Sequence, residues 1–138
     1  MAQRPDQQLS GERGDLSAFL AVGMLLPLLL LLAVAGAETA HLIGLRSLIV
    51  GQAYASLRNA EMAGGVTPAI SQPLQADVIA WTGSTAASVS GTPAPQPWGA
   101  QVCLAIAAPV SVTWPGTSMS LNLGGTFCGA SDLPPSGT

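Results

Sequence analysis

Leu16 to Ala37 is a run of 22 residues without a charge, and it constrains the chain more than any other feature. A helix needs about 20 apolar residues to cross a bilayer. Backbone groups in lipid must pair within their own segment, so the run is expected to be helical. Pro27 lies near its middle; in lipid a proline is expected to kink the helix rather than end it. A cleaved secretory signal is the competing reading, because Ala35-Gly36-Ala37 forms an Ala-x-Ala site before Glu38. A signal peptide, however, has an apolar region of about 7–15 residues behind a basic flank. Here the run is longer, and Arg4 and Arg13 stand against Asp6, Glu12 and Asp15. A retained helix is the favoured reading. Two arginines lie on each side of the run, so charge marks its orientation poorly. A cytoplasmic N-terminus follows mainly from the exported character of the C-terminal part.

The helical pattern continues from Glu38 to Met62. Leu42, Leu45, Ile49, Ala53 and Leu57 recur at spacings of three and four and share a face. Gly64-Gly65 followed by Pro68 is the stop signal. Residues 16–62 are therefore expected to form one helix about 70 Å long, half in the membrane and half outside.

A second line of residues runs along this helix. Ala33, Gly36, Ala40, Gly44, Ser47, Gly51 and Ala55 follow one another at spacings of three and four. Small residues at helical spacing let backbones approach closely, as between membrane helices. Glycine costs about 1 kcal/mol in a helix interior relative to alanine, so three on one line call for a compensating contact. That contact is either a helix of another copy or of a related protein, or the chain's own C-terminal domain. Chance in an Ala- and Gly-rich sequence is the third reading.

Beyond Met62 the composition changes. Residues 63–100 are expected to be a linker and loops rich in Gly, Pro, Ser and Thr, with a short helix or strand near Leu74–Trp81. Ser and Thr next to Pro also suit O-glycosylation. Residues 101–138 read as a small β domain. Val102, Leu104 and Ile106 alternate with small residues, Val110 to Trp114 alternates again, and Met119, Leu121 and Leu123 alternate with Ser and Asn. Pro115-Gly116 and Gly124-Gly125 are turn signals, and three or four short antiparallel strands are expected. Cys103 and Cys128 are the only cysteines. In an exported domain they most simply form a disulfide, worth roughly 3 kcal/mol by chain entropy, with a pair of reduced buried thiols as the alternative. The fold class expected is thus α+β: a long N-terminal transmembrane helix followed by a small antiparallel β domain closed by one disulfide.

Charge narrows the function. Charged residues are 8% of the chain, there is no lysine, and the net charge is -3. Four scattered arginines exclude binding to nucleic acid by phosphate neutralisation. Two thiols with a lone distant His41 make a metal site improbable, and no cofactor motif is present. No nucleophile–base constellation or phosphate loop is visible, so the chain does not read as an enzyme. From Asn59 to Thr138 the only charges are Glu61, Asp77 and Asp132, where a soluble surface usually carries about 25–35%. Such a surface points to burial against neighbouring subunits, sugar cover or an acidic habitat. Glu38 is expected at the outer membrane boundary or paired with an arginine such as Arg46 of a neighbouring helix. His41, one turn on, reads as an interfacial polar residue.

Glu12-Arg13-Gly14, the apolar run containing Leu26-Pro27-Leu28-Leu29-Leu30-Leu31-Leu32, and Glu38 eleven residues after the proline together resemble the TadE/TadG-like proteins of tight-adherence (Flp) pilus systems. More broadly the chain resembles type IV pilin-like proteins. The likeness covers residues 11–62 and extends in style to the β unit. It implies a membrane-inserted precursor whose helix packs into, or initiates, an extracellular filament made with copies of itself or related subunits. It further implies leader-peptidase cleavage between Gly14 and Asp15, with Gly11 as second choice. The family usually has Glu at the fifth residue after that glycine, and this chain has Phe19. The alternatives are a secreted or membrane-anchored adhesion module and a non-polymerising assembly protein.

Overall fold

The computed structural model describes the backbone of residues 9–114 and 116–134 and the side chains of 18–113 and 116–134. The chain divides into two compact units, Met1–His41 and Leu42–Thr138. One helix, α1 (Leu9–Ala63), enters both. It passes through Pro27 without a break, as an apolar segment with few competing partners for its backbone should.

The helix begins earlier than the apolar pattern. The sequence sets residues 1–15 apart as a polar leader segment; residues 1–8 of it lie outside the described residues, but Leu9 to Asp15 is helical, so the boundary at residue 16 is not a structural one. Apolarity marks where a helix meets lipid, not where it starts. The glycines at 11 and 14 weaken the first turns by about 1 kcal/mol each without a proline to end them. The other end matches its signal. Gly64 adopts φ 70, its N–H donates to the Glu61 carbonyl, and the Gly65 N–H donates to the Ala60 carbonyl. These two bonds form the Schellman arrangement that closes a helix on a left-handed glycine.

Where residues 63–100 suggest a linker with a short helix or strand near Leu74–Trp81, the chain builds a longer helix, α2 (Pro68–Thr82). Pro68 stands at its first position, where the missing N–H costs nothing. Gly83 ends it at φ 67, its N–H donating to the Ile79 carbonyl. Leu74 and Val78, one turn apart, are the buried face. The four-residue strand β1 (Ser88–Gly91) follows. Pro73 inside α2 and the Ser/Thr-rich flanks mask both elements from local propensity.

The β domain contains β2 (Gln101–Ala107), β3 (Pro109–Trp114), β4 (Thr117–Asn122) and β5 (Gly125–Ala130). Strands β1, β2 and β5 form an antiparallel sheet in the order β1-β2-β5, and β3 and β4 form a separate antiparallel pair. The registers reveal more than this division. Gln101 pairs with Ala130, Ile106 with Gly125, Pro109 with Asn122 and Trp114 with Thr117. Every pair keeps one register, so β2–β3 and β4–β5 are the two arms of a single long ribbon that reverses between Trp114 and Thr117. Gly124-Gly125 is therefore not a reversing turn, contrary to its local chemistry. It is a joint at which the arm keeps its register while the ladder is interrupted. The Asn122 side-chain oxygen there accepts the N–H groups of both Ala108 and Gly124. A side chain at Gly124 would strike the Ile106 carbonyl, which explains the glycine.

The sheet's inner face and the two helices share one core. Leu45, Ile49, Ala53, Leu57 and Ala60 of α1 pack in it with Leu74 and Val78 of α2, and with Val102, Leu104, Ile106, Ala108 and Leu123 of the ribbon. The period-four face of α1 and the period-two face of β2 are the faces the sequence marks as apolar. Cys103 and Cys128 stand directly opposite each other on β2 and β5 and are joined by a disulfide. They lie on the sheet's outer face, so the bond fastens β5 to β2 without occupying the core. The observed class is α+β: a long apolar N-terminal helix, small antiparallel sheets and one disulfide.

Candidate assembly surface

Two surfaces of α1 are left without cover. The first is its apolar run. Between Phe19 and Val34, twelve large apolar side chains are exposed. Burying such a side chain is worth about 1.5–3 kcal/mol, so leaving all twelve in water would forgo on the order of 20–35 kcal/mol. A whole domain is stable by only about 5–15 kcal/mol. This segment is therefore built for lipid or for other protein. Among the described residues α1 is the one helix long and apolar enough to cross a membrane, over Ala18–Ala63, with a mean hydropathy of 2.7 in its most apolar window. Ala33, Gly36 and Ala40 lie on this part of the helix, all exposed, and a methyl group added at Gly36 would touch nothing.

The second surface belongs to the Leu42–Thr138 unit. Leu45, Ile49, Ala53, Ser56, Leu57 and Ala60 are buried by the unit's own domain. At 100° per residue, Gly44, Ser47, Gly51 and Ala55 centre about 180° from that buried face. All four are exposed, and a Cβ built at Gly44 or Gly51 meets nothing within 4 Å. The domain thus covers one side of α1 and leaves the small residues bare on the other. Large side chains flank them: Ile43 (65% exposed) and Tyr54 (59%) on one side, Leu48 (54%) on the other. Together they make an open groove with a floor of Gly, Ser and Ala and apolar walls. The Tyr54 wall is braced from behind, its ring meeting Phe127 of β5 edge-on at 5.3 Å between centroids. The braced ring loses less freedom when a partner settles against it.

The groove ends at a charged cluster that sequence reading passed over. Arg58 Nη1 donates to Glu61 Oε2 at 3.0 Å and to Asp132 Oδ2 at 2.8 Å. The Asp132 N–H also donates to the Glu61 carbonyl at 2.9 Å. Hydrogen bonding to Glu61, followed by the charges of Asp132 and Glu61, raises the Arg58 pKa above its ordinary value. The cluster thereby ties the chain after β5 to the last turns of α1. The opposite charges three apart at 58 and 61 were the available signal; the third partner, 74 residues on, had none.

Other sequence-marked residues stay apart. Gly14 and Asp15 lie within α1, and their side chains fall outside the described residues. Glu38, His41 and Arg46 are exposed, and none of them joins an ion pair among the described residues. The described residues contain no group of three or more His, Cys, Asp or Glu placed to hold a metal ion. Comparison with known proteins leaves the geometry to speak for itself: no family model matches the chain, and no curated protein or solved structure is significantly similar to it.

Proposed function

We propose that this protein is a structural, pilin-like subunit, held in the membrane by the apolar part of α1 and assembling through α1 into an extracellular filament. One observation carries the reading: the small-residue line of α1 is bare, and within the Leu42–Thr138 unit it lies opposite the side its own domain covers. Glycine in a helix interior is a standing cost, and among the described residues no contact repays it. Close approach of another subunit's backbone does. The exposed leucines between Leu25 and Leu32 suit the same life history, sitting in lipid before assembly and against neighbouring helices after it. The resemblance of residues 11–62 to TadE/TadG-like proteins supports the same reading.

Shearing the cell surface and sequencing the N-terminus of the released protein tests it. Recovery in filaments, beginning at Asp15 or with the original N-terminus, is the expected result. A soluble, unassembled protein beginning at Glu38 would instead establish a secreted adhesion module. Retention in the membrane without any filament would leave an anchored module or a non-polymerising assembly protein.

A further inference from the structure

The long ribbon has one apolar face from end to end, and its cover thins toward the hairpin end. Val102, Leu104, Ile106, Ala108 and Leu123 lie on that face in the near half and are buried against the helices. Continuing in the same register, Val110, Val112, Met119 and Leu121 lie on it in the far half, where Val110 pairs with Leu121 and Val112 with Met119. There the cover thins: Val110 still packs against the core and Val112 is half-buried, while Met119 is 62% exposed and Leu121 37%. The opposite face of the hairpin carries Ser111, Thr113, Ser118 and Ser120, all exposed. Strict alternation of this kind is the pattern of a strand with one buried face, and a two-stranded hairpin is marginal without something packed on it.

We propose that the apolar face of the β3–β4 hairpin docks on the Gly44–Ala55 groove of α1 in a second copy of this chain. The proposal rests on the assembly reading above and names the element that meets this part of the helix. Continuity is the first support. The near half of this ribbon face is already a seat for one side of α1, so the far half continues an interface whose natural partner is an α1 surface. Its own α1 offers no second free face of that kind except the groove, about 180° away. Shape is the second support: Met119 and Leu121 are exposed apolar side chains, and the floor at Gly44 and Gly51 is open. Charge is the third. No charged residue occurs between Asp77 and Asp132, and the one charge between Ile43 and Ala55, Arg46, points about 140° away from the groove. An uncharged knob against an uncharged groove leaves no ion stranded. Because the two patches differ, the contact is head-to-tail, which propagates into an open filament instead of closing into a dimer.

A photo-reactive residue in place of Met119, in full-length protein made as a mixture of heavy and light isotopes, tests this in the cell envelope. The expected product joins position 119 of one copy to the 43–55 stretch of another, and it is lost in Gly51→Leu. A parallel probe at Ala40 reports helix association independently. If the Ala40 probe reaches a second copy while the 119 probe reaches only lipid, its own chain, another segment or nothing, the hairpin contact is wrong and assembly through α1 stands. If neither probe reaches a second copy, both fail.

Discussion

Replacing Gly51 separates what the groove does for the single chain from what it does between chains, because the two effects have opposite signs. In the isolated protein a Cβ at position 51 meets nothing within 4 Å. Gly51→Ala therefore gains the full helix-propensity difference, about 1 kcal/mol. Leu42–Thr138 is a unit of 97 residues (138 − 42 + 1), and for that size 1 kcal/mol moves the unfolding midpoint by about 4–8 °C. Gly51→Leu is nearly as favourable, since leucine is almost as good a helix former. Between subunits the same leucine fills the floor of the groove. Overpacking costs about 1–3 kcal/mol, which weakens each contact roughly 5- to 150-fold. The assay is a pair of measurements on the same variants: thermal unfolding by circular dichroism of protein dispersed in detergent, and the assembled fraction by sedimentation. A more stable monomer that assembles poorly is the expected result. A lower midpoint for Gly51→Ala would mean that the chain's own domain fills the groove, and unchanged assembly of Gly51→Leu would mean that no partner does.

Three further substitutions probe the fold beneath the groove. Ile49→Ala empties a fully buried position of the shared core and should cost about 2–5 kcal/mol, read by denaturant unfolding. Changing Cys103 and Cys128 together to Ser removes a cross-link spanning 25 residues and should cost about 3.5 kcal/mol by chain entropy. The core should stay intact in that variant because the disulfide lies on the outer face of the sheet, so near-native circular dichroism is expected. Gly124→Ala drives a methyl group into the Ile106 carbonyl, a backbone atom that cannot swing aside, and should destabilise the ribbon by about 1–3 kcal/mol. A neutral outcome at position 124 would contradict the in-line joint.

The parts of the fold legible in the sequence were those whose signal is local and repeated. Leu45, Ile49, Ala53 and Leu57 recur at helical spacing and are buried; Val102, Leu104 and Ile106 alternate and are buried. The two cysteines bond to each other, as their pairing in the sequence suggests. What escaped was settled by tertiary contacts. A short helix or strand is legible only near Leu74–Trp81; Pro68 and Pro73 disguise the full extent of α2, whose reason to be helical is the burial of Leu74 and Val78 against residues elsewhere in the chain. Gly124-Gly125 has the composition of a turn, and only the register of the whole ribbon shows that the chain does not reverse there. The groove sits between these cases. Its spacing is plain in the sequence, but which side of α1 the domain would cover, and hence that Gly44, Ser47, Gly51 and Ala55 stay bare, depends on packing that no local pattern encodes.

The most direct measurement uses one thiol. Cys103 and Cys128 are bonded to each other and no free cysteine exists, so Ser47→Cys places a single reactive group on the groove floor. Thr85→Cys, at an exposed position in the turn between α2 and β1, serves as the reference. Maleimide should modify both sites readily in protein dispersed in detergent. In the intact cell envelope, assembly through α1 predicts that position 47 becomes protected while position 85 keeps reacting. Equal reaction at both positions in the envelope would show that nothing presses against the bare side of α1.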